Sequence, residues 1–149
     1  MIQRIQSVYL LIITVLVVLT MSFPIGHFYT ENAIWEMGSL TLVSPDGVIN
    51  YGPWPLFLIL QVVAALAFIT IFLFKKRMAQ VRITKFSMIL LVGYYVLFAS
   101  YVWGAYRTLG SFVPSWTVCL PFISLVLGYL AIRAIMKDEN LVKSYDRLR

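Results

Sequence analysis

Four long apolar stretches constrain this chain more than any other feature of its sequence. They run approximately over residues 8–23, 56–74, 87–106 and 116–135. A helix needs roughly 20 apolar residues to cross a bilayer core, where helices satisfy their own backbone hydrogen bonds. Because 61% of the residues are hydrophobic and 12% are charged, a soluble domain is excluded. We therefore expect one all-α transmembrane domain over residues 1–149, built as a four-helix membrane bundle.

The positions of the basic residues predict the orientation of this bundle. One side would hold Arg4, Lys75, Lys76, Arg77, Arg82, Lys85, Arg133, Lys137, Lys143, Arg147 and Arg149. The other side has Arg107 as its single cation, together with Glu31, Glu36 and Asp46 in the link between the first two stretches. By the positive-inside rule, both termini are expected in the cytoplasm. The first stretch resembles a secretory signal, but its length and the absence of a small-x-small cleavage site favour a retained helix.

Two features of the outer side support this orientation. The four tryptophans all fall there, as expected for an aromatic belt at the membrane interface: Trp35, Trp54, Trp103 and Trp116. The long link also contains a Pro45-Asp46-Gly47 turn signal between two short β-prone segments. We predict a small extracytoplasmic β-hairpin that pairs residues 39–43 with residues 48–51.

The C-terminal segment combines charge with helical periodicity. Leu141, Tyr145 and Leu148 recur at helical spacing, whereas Lys143 and Arg147 lie elsewhere on the turn. This pattern predicts an amphipathic cytoplasmic helix. Such a helix can lie on the membrane surface against anionic headgroups or dock on a membrane-protein partner, and both alternatives stay open.

Both ends of the chain also carry a family resemblance. The opening MIQRIQSVYLL and the closing RAIMKDENLVKSYDRLR resemble an uncharacterised domain-of-unknown-function family of small four-span bacterial inner-membrane proteins. Lys143 stands where either basic residue is expected, and Tyr145 where a small residue is common. The resemblance implies the fold and the bacterial inner membrane, but no activity. Candidate contacts with lipid or a partner are Lys137, Asp138, Glu139, Leu141, Lys143, Tyr145, Asp146, Arg147, Leu148 and Arg149.

The residues that catalysis or cofactor binding requires are not grouped in this sequence. All six acidic residues lie outside the apolar stretches, so a carboxylate-driven antiporter is disfavoured. His27 and Cys119 are each the single residue of their type, which disfavours bis-histidine haem and disulfide chemistry. We expect no catalytic site, no cofactor and no metal site, so the chain is not expected to be an enzyme. Nucleic-acid binding has no support beyond net charge.

Two polar residues near the membrane have alternative roles. Arg107 either lies at the headgroup level with its guanidinium on an aromatic ring, or contacts an anion or an outer carboxylate. Gln61 lies inside the second apolar stretch and should face the bundle interior or a partner helix, because an unpaired amide is costly in hydrocarbon. The small-residue pairs Ser100/Gly104 and Ser124/Gly128 predict close helix packing.

Two classes of function follow from these expectations. The first is a non-catalytic accessory or assembly subunit of a larger membrane complex. The alternative is a small oligomeric channel or transporter, in which Gln61, Thr70, Ser87, Ser100 or several tyrosines would line a shared path. We favour the subunit, because the apolar stretches carry few functional polar groups and the tail is patterned.

Overall fold

Four helices form the main body of the protein. The computed structural model describes residues 2–73 and 75–148, and its helices are α1 (Ile2–Ser22), α2 (Trp54–Phe72), α3 (Arg77–Ser100) and α4 (Cys119–Arg147). All four are long and apolar enough to cross a membrane. Helix α1 packs against α2 and α4, and α3 packs against the same two helices. The prediction of four helices of spanning length is confirmed.

A five-stranded antiparallel sheet covers one end of this bundle. Its strands are β1 (Gly26–Thr30), β2 (Ala33–Met37), β3 (Leu42–Val43), β4 (Ile49–Asn50) and β5 (Ser111–Pro114), in the order β4-β3-β2-β1-β5. Strands β3 and β4 are the predicted hairpin, with Leu42 opposite Asn50 and Gly47 at a φ of 79° in the turn. The rest of the sheet was not predicted, so the fold is the expected mainly helical bundle with a small antiparallel sheet in place of a single hairpin.

The sheet and the bundle share one hydrophobic core. Phe28, Met37 and Leu42 are buried beneath the strands and join the cluster that includes Leu10 and Leu60 from the helices. Strand β5 pairs with β1, so that Phe28 lies opposite Phe112 although the two are far apart in sequence. An isolated two-stranded hairpin is marginal in water. Here β3 and β4 gain stability from a wider sheet that packs on the helix ends.

Helix α3 begins earlier than the hydropathy of the sequence predicts. Residues 75–85 were expected to form a basic link, but α3 starts at Arg77 and residues 73–76 alone connect it to α2. Arg82 and Lys85 are therefore helical. Their side chains remain at the surface while Thr84 between them packs inward, so the helix includes both cations without burying them. At its other end, α3 continues into a π-helical turn, Tyr101–Ala105.

The two small-residue pairs behave differently. Ser124 and Gly128 of α4 are buried, and a Cβ on Gly128 would lie 3.1 Å from Cγ of Met88, so this pair does allow α3 and α4 to approach closely. Ser100 and Gly104 are exposed, and a Cβ on Gly104 would meet no atom within 4 Å. The predicted role of Ser100 and Gly104 in packing helices within the chain is wrong.

Gly26 allows β1 and β5 to approach each other, and we predict that Gly26→Ala destabilises the fold. An added Cβ would lie 2.6 Å from Cε2 of Phe112 and 2.8 Å from the carbonyl oxygen of Val113. The Phe112 ring is held against Phe28, with 4.9 Å between ring centroids. We expect the free energy of unfolding to fall by about 1–3 kcal/mol, measured by thermal unfolding in detergent.

Gly93→Ala is the matched control, because a Cβ there would meet nothing within 4 Å on helix α3. Alanine is a better helix former than glycine by about 1 kcal/mol. The control should therefore unfold at the same temperature or slightly higher. Equal losses from both substitutions would contradict the steric explanation.

Candidate functional site at the basic end of the bundle

The first turns of α3 and the last turns of α4 pack against each other at the end of the bundle opposite the sheet. Val81 of α3 and Ile132 and Ile135 of α4 form a small buried cluster, with Met88 packed against it. Gln80 is also buried, and its Nε2 donates a hydrogen bond of 2.9 Å to the carbonyl oxygen of Thr70. These contacts join the ends of α2, α3 and α4.

An ion pair marks the point where the contact between α3 and α4 stops. Nη2 of Arg77, the first residue of α3, lies 3.3 Å from Oδ2 of Asp138 on α4. The two side chains are 24% and 12% exposed, so water screens the pair only partly. That Asp138 oxygen has no well-aligned hydrogen-bond partner among the described residues, so charge attraction holds the pair.

Beyond Asp138, most of the described residues of α4 are exposed. Ile135, Asp138, Val142 and Tyr145 follow one another at spacings of three or four and therefore share one stripe of the helix. The first two are buried, whereas Val142 is 43% and Tyr145 71% exposed. The stripe that packs on α3 thus extends past the start of α3 and is left uncovered.

A cleft of about 500 Å³ lies between the start of α3 and this uncovered stripe. Its lining residues are Lys75, Lys76, Arg77, Met78, Ala79, Glu139, Val142 and Lys143. Apolar side chains from both helices alternate with basic ones. Glu139 faces Lys143 one turn away, with 3.1 Å between Oε1 and Nζ. The cleft therefore suits a segment that carries apolar and acidic side chains.

The structure distributes the predicted contact residues over several faces of α4. Lys137, Leu141, Lys143, Tyr145, Asp146, Arg147 and Leu148 are exposed, and Glu139 is half-buried. Asp138 instead points into the bundle and pairs with Arg77. Arg149 lies outside the described residues. The expectation of a separate amphipathic helix was wrong, because α4 runs unbroken from Cys119 to Arg147 with no glycine or proline after Gly128 to interrupt it.

Of the residues that line this cleft, sequence reasoning named only Glu139 and Lys143 as contacts, and it missed Val142 and Arg77 among the others. Val142 lines the cleft, and its position seven residues after the buried Ile135 is the signal that identifies it. Arg77 was assigned to a link between helices. Its pairing with Asp138 has no local signal, because the two residues are far apart in the sequence.

Arg107 lies at the sheet end, far from this cleft along the bundle. It is exposed and begins a short 3-10 helix, Arg107–Leu109. Among the described residues, no ion pair joins it to Glu31, Glu36 or Asp46. Trp54, Trp103 and Trp116 are exposed around the same end, whereas Trp35 is partly buried against the core.

The interior of the bundle offers little room for a ligand. A cavity of about 10 Å³ lies between the helices, lined in part by Thr70, Thr84, Ser87 and Ser124. That volume holds about one water molecule. Within residues 2–73 and 75–148, no three His, Cys, Asp or Glu side chains come together as metal ligands.

Comparison with known proteins identifies the family but no activity. The chain matches the model of a domain of unknown function, DUF4293, over residues 2–148, and it belongs to that family. The match covers the bundle, the sheet and the projecting end of α4 together. No match was found among curated proteins.

We predict that Asp138→Ala weakens the fold at the basic end. The substitution leaves the partly buried Arg77 without its counter-charge. We expect the free energy of unfolding to fall by about 1–3 kcal/mol, below the cost for a fully buried pair, measured by thermal unfolding in detergent. Glu139→Ala is the control, because it breaks a pair one turn apart whose Lys143 side chain is 69% exposed, and such a pair contributes about 0.5 kcal/mol. Equal effects of the two substitutions would show that the Arg77 pair has no special role.

Proposed function

We propose that this protein is a non-catalytic, multi-pass protein of the bacterial inner membrane that serves as an accessory or assembly subunit of a larger membrane complex. Both termini would lie in the cytoplasm. The uncovered stripe of α4 beyond Asp138, together with the adjoining cleft, would bind the partner protein. One observation carries this proposal. The stripe of α4 that packs on α3 continues beyond the start of α3 at Arg77.

The distribution of charge supports the proposed orientation. Lys75, Lys76 and Arg77 lie at the end of the bundle where α4 also carries Lys137 and Lys143. The exposed tryptophans lie at the opposite end with the sheet. Basic residues are retained on the cytoplasmic side and also meet the anionic headgroups of that leaflet. The sheet would then face the periplasm.

Helix length favours a protein partner over the lipid surface. Helix α4 has 29 residues, which at about 1.5 Å per residue span about 43 Å. The hydrocarbon core is about 30 Å thick, so the last turns must emerge from it. A helix that is continuous with a spanning segment cannot turn its apolar stripe flat onto the membrane. That stripe, with Val142 and Tyr145 exposed, needs a protein surface to cover it.

The alternative of a channel or transporter has less support. Gln61 and Ser100 are exposed, whereas Thr70 and Ser87 are buried, so these four residues do not line one path shared between copies. Thr70 and Ser87 border the small cavity, but each hydroxyl donates to a carbonyl oxygen of its own helix. A polar route through one copy of the bundle would therefore need these hydrogen bonds to be broken.

We predict opposite accessibility for the two ends of the bundle. In a Cys119→Ser background, Asp46→Cys should react with a membrane-impermeant thiol reagent on spheroplasts, whereas Asn140→Cys should react after permeabilisation alone. Both positions are exposed, so the membrane determines the difference. The reverse pattern would overturn the cytoplasmic placement of α4 and with it the proposed docking side.

We predict that Val142→Ser combined with Tyr145→Ser releases the partner. The protein would carry an N-terminal tag, which leaves the end of α4 free, and would be purified from native membranes in gentle detergent. Intact-complex mass measurement should show stoichiometric foreign subunits with the wild type and at least a ten-fold loss of them with the double variant.

Asn140→Ser is the matched control, because Asn140 is exposed on the opposite side of α4 from the stripe. The control should keep its partner, and all three proteins should unfold at similar temperatures because Asn140, Val142 and Tyr145 are all exposed. Retention of the same subunits by the double variant would overturn docking through the stripe. A wild type that purifies alone would overturn the subunit function.

A further inference from the structure

The Gln61 side-chain amide lies where the hydrocarbon core of a membrane would surround it. It is exposed on α2, and it lies two residues from Val63, the midpoint of that helix. Among the described residues, no side chain or backbone group forms a hydrogen bond with its amide. An unpaired amide is strongly disfavoured at that depth of a bilayer. Because the interior of its own bundle cannot satisfy this group, the partner must come from another chain.

The residues around Gln61 form a helix-packing seam. Trp54, Leu58, Gln61, Ala65, Phe68 and Phe72 follow one another at spacings of four, three, four, three and four, and all are exposed. This is the heptad spacing by which two helices pack side by side. The seam lies on the opposite side of α2 from the buried Leu56, Leu60, Val63 and Ala67. The small Ala65, one turn from Gln61, lets two backbones approach.

We propose that two copies of this chain pair through α2, with the two Gln61 amides exchanging hydrogen bonds across a twofold axis. Copies inserted in the same orientation run parallel, so each residue of the seam meets its own counterpart at the same depth. A primary amide both donates and accepts, which makes glutamine complementary to itself. A single polar residue in an apolar seam also specifies register. The inference rests on the membrane insertion proposed above but not on partner docking by α4.

The experiment uses the purified full-length chain with Cys119→Ser, reconstituted into phosphatidylethanolamine–phosphatidylglycerol vesicles. Under mild oxidation, Ala65→Cys should form a disulfide-linked dimer. Val96→Cys, which is exposed on α3, should not. Dimer affinity is then measured by energy transfer between labels on Asp46→Cys over a lipid-dilution series. Gln61→Leu should weaken the dimer on the order of ten-fold, and Gln61→Asn should restore much of the loss.

Each contrary result has a defined meaning. A chain that stays monomeric at every dilution, or equal cross-linking at positions 65 and 96, would overturn the α2 dimer. A Gln61→Leu dimer as tight as the wild type would overturn the role of the amide. Extraction of the chain from the vesicles by alkaline carbonate would overturn the proposed insertion itself. Neither of the first two results would affect the docking function of α4.

Discussion

The need to hydrogen-bond every polar group within an apolar chain is the constraint on which the rest of the structure depends. It makes the four apolar stretches helical, and it extends to most of the buried polar side chains among them, although Nε2 of Gln6 and the Tyr94 hydroxyl are buried without a hydrogen-bond partner among the described residues. Thr20, Thr70, Thr84, Ser87 and Ser124 are buried, and each donates to the carbonyl oxygen four residues earlier in its own helix. Because these hydroxyls are bonded within their own helices, they need no partner from a neighbouring helix.

The two ends of the bundle differ in how completely they are covered. At one end, Ser39 and Thr117 tie the chain around the sheet to Met21 and Pro24 of the α1–β1 segment, with hydrogen bonds of 3.3 and 2.8 Å. At the other end, α3 stops at Arg77 while α4 continues beyond Asp138. A dimer through α2 would place two such projecting helices on the same side of the membrane. The proposed docking and dimer surfaces are on different helices and are therefore compatible.

Particular residues show where sequence reasoning works and where it does not. The Pro45-Asp46-Gly47 turn carries its own conformational signal, so the β3–β4 hairpin was predictable. The pairing of β1 with β5 was not predictable. Phe28 and Phe112 are far apart in the sequence, and no local pattern indicates that their strands pair. The periodicity around Tyr145 correctly predicted a helix, but not that it continues α4. Gln61 was expected to face either the bundle interior or a partner helix, and the phase of α2 places Leu60 and Val63 inside and leaves Gln61 exposed.

The sequence by itself determined the number of helices that are long and apolar enough to cross a membrane, the charge asymmetry between the two ends and the helical character of the tail. These properties depend on composition and short-range periodicity, which act within a few residues. Only the tertiary structure decided which stripe of α4 becomes exposed beyond α3, which carboxylate pairs with Arg77 and which face of α2 carries Gln61. These three outcomes depend on how long the helices are relative to one another and on how each is rotated about its axis. Packing of the whole core sets the length and the rotation.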